Sequence, residues 1–506
     1  MEPFYLMIDL GSSTTKVIVG DAKGKILGFA RAKTSTTYFF PEELEPYGVE
    51  FDPHQLWIRV VQTTKEAITR SQVPPANIKA VSITSQRHGC VFLDAMGNEI
   101  YAGPNRDARG LEVDMDDYMA PEDLYRITGH GPPFLFLLAK YLWFQENEEE
   151  KYERIKHVLT IDGWLAHRLT GKYVIDDTSA AETMLYDIHK RAWSDEILDI
   201  CEISREILPE KVSFAENLGP LLPKPAEQLG ISPHTLAVVT AADTQASLIG
   251  CGAFHVGDVG IVVGSTMPIQ MVIDQSVVDP KQRIWTGAFS IPGHWVIESN
   301  AEQAGGIHSW FINTFLTQNN SKRPYEEFEE LVLSQRPGAG GVYADLGARI
   351  MDAQNMVQLP QTKYIFPPPS YGLEDVSLSS FARATIENLA YAARANIEQI
   401  QELINRPART IFLVGGLSRS AAFTQILADV LKAPIHGTIP EGAALAGFAA
   451  ARHATEDMTY EEAIAHLITP REIVSPNEQA SEQYDGYFLR WKEIYAESYA
   501  DNGDFE

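Results

Sequence analysis

Cysteine is scarce: 506 residues carry three, Cys90, Cys201 and Cys251, and none forms a CxxC pair. That excludes a disulfide scaffold and argues against a structural zinc site. Positive charge is short too, with 41 Lys plus Arg against 68 Asp plus Glu, a net charge of −27. A phosphate backbone or an anionic membrane surface would be repelled, so neither nucleic acid nor membrane is expected as a partner. No apolar run reaches the ~18 residues of a membrane span. The longest candidate, PPFLFLLAKYLWF, is broken by Lys140. The opening MEPFYLMIDLG lacks a basic stretch followed by a cleavable apolar one. Together these absences lead us to expect a cytoplasmic protein.

What is present is ordinary for a globular enzyme, with 45% hydrophobic and 22% charged residues. The length suggests two large domains or about three smaller ones. FYLMIDLGSSTTKVIVGDAKGKILG predicts a strand, a polar turn, a second strand and a third. Roughly 250 residues later VGDVGIVVGSTMPIQMVID repeats the theme around Gly264, Ser265 and Thr266. Such turns recur by chance in long α/β chains, but the order also fits an internal duplication.

Between these hairpins FDPHQLWIRVVQTTKEAITRS predicts an amphipathic helix entered through Asp-Pro, IKAVSITSQ a buried strand, and KYLWFQENEEEKYERI a helix with an acidic face. The second half alternates likewise, with SSFARATIENLAYAARANIEQIQELI a long helix, TIFLVGG a strand and SAAFTQILADVLKAPI a helix leading to a strand. This is a βαβ-rich α/β chain. GPLLPKPAEQLG, about residues 219 to 230, reads as a linker, and YAESYADNGDFE as a solvated acidic end.

Three places could carry chemistry. DLGSSTTK joins the strand-end carboxylate Asp9 to a turn of small hydroxylated residues and Lys16, a cradle for an anion although not a GxxxxGK[ST] loop. LAVVTAADTQAS delivers Asp243 at the end of an apolar strand, where it is either a general base or metal-water ligand, or simply the N-cap of the next helix. TIFLVGGLSRS runs a strand into Gly415 and Gly416, which permits close approach of a flat or anionic ligand.

These motifs occur in one order with SQRHG, NRDAR, DGWLAHRLTGKYVIDDTSAAETMLYD, AADTQAS, VVGST, AGGIHSWF, VGGLSRS and EGAALAG. The whole series resembles the FGGY family of carbohydrate kinases, most closely its xylulokinases and autoinducer-2 kinases. The resemblance implies two ribonuclease H-like domains of the actin/hexokinase ATPase type with a cleft between them. Residues 1–245 would hold the sugar and first phosphate loop, and 246–506 the nucleotide.

It also implies ATP and magnesium as cofactors, with Asp243 as catalytic base and Asp9 and Asp243 holding the metal through water. Gly11, Ser12, Ser13, Thr14 and Lys16 would form the first phosphate loop, and Gly264, Ser265 and Thr266 the second. Gly305, Gly415, Gly416 and Ser420 would flank the nucleotide. Arg87, His88, Asp107 and Thr244, with Asp243, would contact the substrate. The implied reaction is phosphorylation of a sugar hydroxyl, with a pentulose such as xylulose first and an autoinducer-2-type dihydroxyketone or a polyol as alternatives. An actin-like ATPase keeps the fold without the sugar, but SQRHG and NRDAR disfavour it. A catalytically dead sugar sensor is disfavoured by the intact Asp9 and Asp243. The first family signature keeps Lys140, Trp143, Phe144, Glu146 and Asn147 but has Leu137 where Pro, Ser or Thr is usual; the second is degraded around 371–393, and Leu417 replaces a small residue. Trp310 and Tyr371 read as packing rather than sugar-stacking residues. A homodimer is compatible with the sequence, which does not determine oligomeric state.

Overall fold

Each half of the chain begins with an apolar strand that folds back on itself, and the two sheets grown from these hairpins share one pattern of strand directions. The computed structural model describes residues 3–44, 46–319, 321–356, 361–368, 376–467 and 472–500. Tyr371, residues 371–375 of the degraded signature and residues 501–506 of the acidic end lie outside them. The chain packs into two units. The first is Met1–Gly252 with Asp274–Val296 and Gly442–Thr469; the second is Ala253–Ile273 with Ile297–Glu441 and Pro470–Glu506.

In the first unit β1 (Phe4–Leu10), β2 (Thr14–Asp21) and β3 (Ile26–Lys33) form the expected antiparallel meander. β4 (Ile78–Ser85) pairs parallel to β1. β5 (Asn217–Pro220) and β6 (Leu236–Val239) complete the sheet in the order β5-β6-β4-β1-β2-β3, with β6 parallel to β4. The central strands are buried almost throughout, as their continuous apolar runs require. Helix α1 (Pro53–Ser71) starts where the sequence places it: Asp52 accepts from the amides of His54 at 2.8 Å and Gln55 at 3.1 Å, and Pro53 occupies the first turn.

In the second unit β7 (Asp258–Val263), β8 (Thr266–Ile273), β9 (Trp295–Gln303), β10 (Thr410–Gly415), β11 (Ile435–Gly437) and β12 (Glu472–Val474) are six strands of a seven-stranded sheet, in the order β9-β8-β7-β10-β11-β12. Here β7 and β8 are antiparallel, β10 and β11 continue parallel to β7, and β12 is antiparallel at the edge; in the first sheet the antiparallel edge strand, β5, precedes its parallel neighbour β6 along the chain. The shared pattern of strand directions is the structural form of the duplication suspected from two Gly-Ser-Thr turns. The long helix α3 (Leu378–Ile404) opens with a Ser377/Ser380 capping box, while α2 (Asp243–Cys251), α4 (Ala421–Leu431) and α5 (Gly442–Thr455) carry the motifs discussed below.

Two expectations are corrected. The segment about 219–230 is no linker: it is the end of β5 and a helix, Pro223–Leu229, whose Pro223 suits a first turn that needs no amide donor. The acidic-faced helix is two, Leu137–Asn147 and Glu149–Arg154, because Glu148 leaves the helical region (φ −138°, ψ 57°). Among the described residues no helix is long and apolar enough to cross a membrane.

EGAALAG is a core helix of the first unit. A Cβ on Gly447 of α5 would lie 2.4 Å from Met7 Sδ and 2.6 Å from Ser82 Oγ, so this helix sits hard against β1 and β4.

Candidate active site

Three parallel strands of the first unit, β1, β4 and β6, end at one edge of the sheet. Their pairing puts Asp9 opposite Thr84 and Val239 opposite Ile83. The residues just past these ends, Gly11–Thr14, Arg87–His88 and Asp243, therefore emerge together, as ligand-binding residues of open α/β sheets do.

Asp9 is buried, and strand pairing sets it directly across from Lys16, whose Nζ lies 3.0 Å from its Oδ2. Its other oxygen, Oδ1, is buried and meets no hydrogen-bond partner. A carboxylate with one oxygen left over suits a cation or its bound water.

Asp243 does not cap α2. The cap position is Ala242, and the Asp243 carboxylate instead accepts from Thr244 Oγ1 at 3.2 Å. Burial and the charge of Asp9 push its carboxyl up to about 6, against the counter-pull of Arg87 and Lys16. The approach to Asp243 is fixed by Thr84 Oγ1 donating to the Ala241 carbonyl at 2.6 Å and by the Ala242 amide donating to Thr178 Oγ1 at 2.9 Å. A half-buried carboxylate with a raised pKa and no capping duty is equipped to take a proton near neutral pH.

Arg87 and His88 converge on a residue the sequence reading passed over. Glu182, 2% exposed, accepts from Arg87 Nη1 at 3.0 Å and His88 Nε2 at 2.7 Å. Burial alone would raise its carboxyl, but the charge of Arg87 and the contact with His88 hold it far below the usual carboxylate range. Burial pushes the His88 imidazolium down, so the ring is neutral near pH 7. Phe136 and Trp285 wall the two side chains, with ring centroids 4.7 and 5.4 Å from His88, and the Arg87 guanidinium sits 5.8 Å from the Trp285 ring. His88 adopts a left-handed backbone, φ 62°, and Lys140 Nζ pins its carbonyl at 2.9 Å while reaching the Pro104 carbonyl at 3.3 Å. That is the work of the retained signature lysine. The sequence carried Glu182 inside a quoted motif, but nothing in it signalled His130 or Trp285.

Asp107 has neither oxygen free. It accepts from the Val49 amide at 2.9 Å, from Arg109 Nε at 2.8 Å and from the Tyr101 hydroxyl, and it is wholly buried. Its place is to brace the NRDAR loop. Ser12 and Ser13 give their carbonyls to Tyr38 Oη at 2.6 Å and the Thr34 amide at 3.0 Å, which fixes the turn that precedes Thr14.

The nearby helix Asp177–Ala181, which delivers Glu182, is capped by Asp176 through the amides of Thr178 at 2.9 Å and Ser179 at 3.2 Å. Burial, with Asp162 close by, pushes Asp176 up to about 6. The folded value lies above the unfolded ~3.9, so this group's contribution to stability is present at low pH and is lost as pH rises through about 6. Between pH 4 and 7 Asp176→Asn should therefore lose less stability than the parent, by up to about 3 kcal/mol. Parallel pH slopes in urea unfolding of the two proteins would refute this.

In the second unit the nucleotide candidates of three segments meet. Val263 pairs with Gly415, so the turn Gly264–Ser265 stands beside Gly415 and Gly416. The Gly305 amide donates to the Gly264 carbonyl at 3.1 Å, and the Ala304 amide to the Ser265 carbonyl at 3.1 Å. Gly415 has φ 101°, and a Cβ there would lie 2.4 Å from the Val263 carbonyl oxygen; one on Gly305 would lie 2.3 Å from that of Gly264. These glycines let backbone pack on backbone.

Ser420 is the N-cap of α4: its Oγ accepts from the Phe423 amide at 3.0 Å and donates to Glu329 Oε1, while Glu329 Oε2 takes the Ala422 amide at 3.0 Å. Ser420→Ala should cost about 1 kcal/mol in thermal unfolding; no change would show that Glu329 alone suffices as a cap. Trp310 is 45% exposed against Phe315, 5.7 Å between ring centroids, and is not part of the core. Among the described residues no cluster of three or more His, Cys, Asp or Glu is arranged to hold a metal.

Residues 4–250 match the family model for the FGGY family of carbohydrate kinases, N-terminal domain, and residues 261–454 match that for the C-terminal domain. A relative from Bacillus subtilis (strain 168), named as a sugar kinase, is 28% identical over 474 residues, covering 92% of this chain and 93% of its own. An autoinducer-2 kinase of Klebsiella pneumoniae subsp. pneumoniae is 25% identical over 508 residues, covering 98% of this chain and 94% of its own. Among solved structures, a ligand-bound xylulose kinase from Lactobacillus acidophilus superimposes with a TM-score of 0.84 at 22% identity over all of both chains, which shows the fold.

Proposed function

Because this chain belongs to the FGGY family of carbohydrate kinases, we propose that it transfers the terminal phosphoryl group of ATP to a hydroxyl of a sugar, first among candidates a pentulose such as xylulose, with an autoinducer-2-type dihydroxyketone or a polyol next. The observation that carries this reading is Asp243, raised to about 6 at the edge where Asp9, Lys16 and Arg87 also emerge. The acceptor oxygen forms a bond to the terminal phosphorus, the bond to the bridging oxygen breaks, ADP leaves, and the hydroxyl proton passes to the Asp243 carboxylate.

In a loose transition state the proton leaves late, so Asp243 contributes by orienting the hydroxyl as well as by receiving its proton. Lys16 and the hydroxyls and amides of Ser12, Ser13 and Thr14 supply positive field to phosphate oxygens, which a chain of net charge −27 must create locally. The glycine turns at Gly264, Gly305, Gly415 and Gly416, with Ser265 and Thr266, take the nucleotide. Asp9, with its unpartnered Oδ1, and Asp243 fit a magnesium ion held through water, which when bound would neutralise phosphate charge. Arg87, His88 and Thr244 line the acceptor side, and Asp107 and Lys140 act on it through the loops they hold.

The test is ADP release coupled to a spectrophotometric readout across ketoses, alditols and linear dihydroxyketones. Release that depends on one of these compounds is expected. Release that no compound stimulates would overturn the reading.

A further inference from the structure

Glu182 lies against Arg87 and His88, the side chains that the proposed function assigns to the acceptor, and its own carboxylate is taken up by protein donors. Its oxygens take Arg87, His88 and, at 3.4 Å, Gln245 Nε2, and His130 Nε2 stands 3.8 Å away. Two consequences follow from this arrangement. The Arg87 guanidinium, the obvious partner for a carboxylate on a substrate, already faces one at 3.0 Å. For the 2.7 Å contact to be a hydrogen bond to ionised Glu182, the His88 proton must sit on Nε2, which leaves Nδ1 as an acceptor.

The same neighbourhood holds further acceptors in want of donors. Gln245, 1% exposed and two residues beyond Asp243, turns its amide nitrogen to Glu182 and leaves Oε1 buried with no hydrogen-bond partner. Asn105 Oδ1, in the loop that Lys140 and Gln86 tie to the Arg87 strand end, is buried and unpartnered as well. Hydroxyl groups can donate to such acceptors; a carboxylate cannot, and it would also meet the charge of Glu182.

We propose that Glu182 sets the class of acceptor: by balancing Arg87 and holding His88 as a hydrogen-bond acceptor it makes the pocket select uncharged polyhydroxy compounds over sugar acids of the same length. The inference rests on the sugar-kinase reading. Glu182 is a positioning residue, acting through Arg87, His88 and Gln245.

The experiment uses the full chain and the fluorescence of Trp285, whose ring lies against His88 and Arg87. Titration without nucleotide compares D-xylulose and xylitol with D-xylonate. The neutral pair should bind at least about tenfold more tightly, the discrimination expected from one mismatched polar contact. In Glu182→Gln the ratio should move about tenfold toward xylonate, whereas Glu182→Asp, which keeps the charge, should retain the neutral preference. A purely structural defect would weaken all three compounds together and leave the ratio unmoved, and that result would overturn the role of Glu182. Parent protein that binds xylonate as tightly as xylulose, or binds neither neutral compound, would overturn the proposal even if Glu182→Gln fails to fold. Failure of the kinase reading looks different: selective binding would persist while no compound stimulated ADP release.

Discussion

Asp243→Asn is expected to lower kcat by roughly 10²- to 10⁴-fold while leaving ATP affinity within about twofold, as loss of a positioned proton acceptor does. The substitution keeps the shape of the side chain and its contact with Thr244 Oγ1. It removes a charge that Asp9 opposes, so folding should not suffer; burial and that repulsion are what raise the native carboxyl. A single-turnover measurement with saturating sugar separates the effect on phosphoryl transfer from any on binding. Should the variant turn over at more than a tenth of the parental rate, Asp243 would be reduced to an orienting group and the proton acceptor would have to be sought elsewhere.

Gly250→Ala should be the most damaging small substitution in the first unit. A Cβ at this position of α2 would lie 1.8 Å from the carbonyl oxygen of Gly442 and 2.5 Å from its carbon, backbone atoms at the start of α5 that cannot swing aside. The helices must separate, and α5 is itself held on β1 and β4 by Gly447. A loss of roughly 3 kcal/mol in urea unfolding is expected, at the upper end for an overpacked core. Since Asp243 is the first residue of the helix that moves, kcat should fall along with stability. Gly486→Ala is the matched control: nothing lies within 4 Å of its Cβ in the helix Glu478–Ala500, and helix propensity predicts a gain of up to about 1 kcal/mol. If the two variants unfold alike, close packing is not the reason for the glycine.

The chemistry of the candidate site was legible wherever it sits in one short stretch of chain. Asp9 and Lys16 are seven residues apart across a hairpin whose register places them face to face. Asp243 stands out as a carboxylate at the end of an apolar strand, and the repeated Gly-Ser-Thr turns foretold two sheets that each start from an antiparallel hairpin. Tertiary contacts also claim side chains that local pattern offers to a ligand. Asp107 resembles a ligand in NRDAR, yet Val49, Tyr101 and Arg109 take up both its oxygens. Ser420 resembles a nucleotide contact, yet it closes the first turn of α4 with Glu329. The proline-rich segment looked like a linker because proline punctuates both loops and first helical turns.

The sequence by itself determined the family, the α/β alternation, the hairpins and the carboxylates at strand ends, because strand and turn propensities and the order of motifs act over neighbouring residues. Only the tertiary structure decided what surrounds Arg87 and His88. Glu182 lies more than ninety residues further along, and Trp285 belongs to a segment, Asp274–Val296, that returns to the first unit after the chain has begun the second. Which charge a guanidinium faces, and which nitrogen of an imidazole keeps its proton, are set by burial and by atoms within about 3 Å, and no spacing along the chain encodes them.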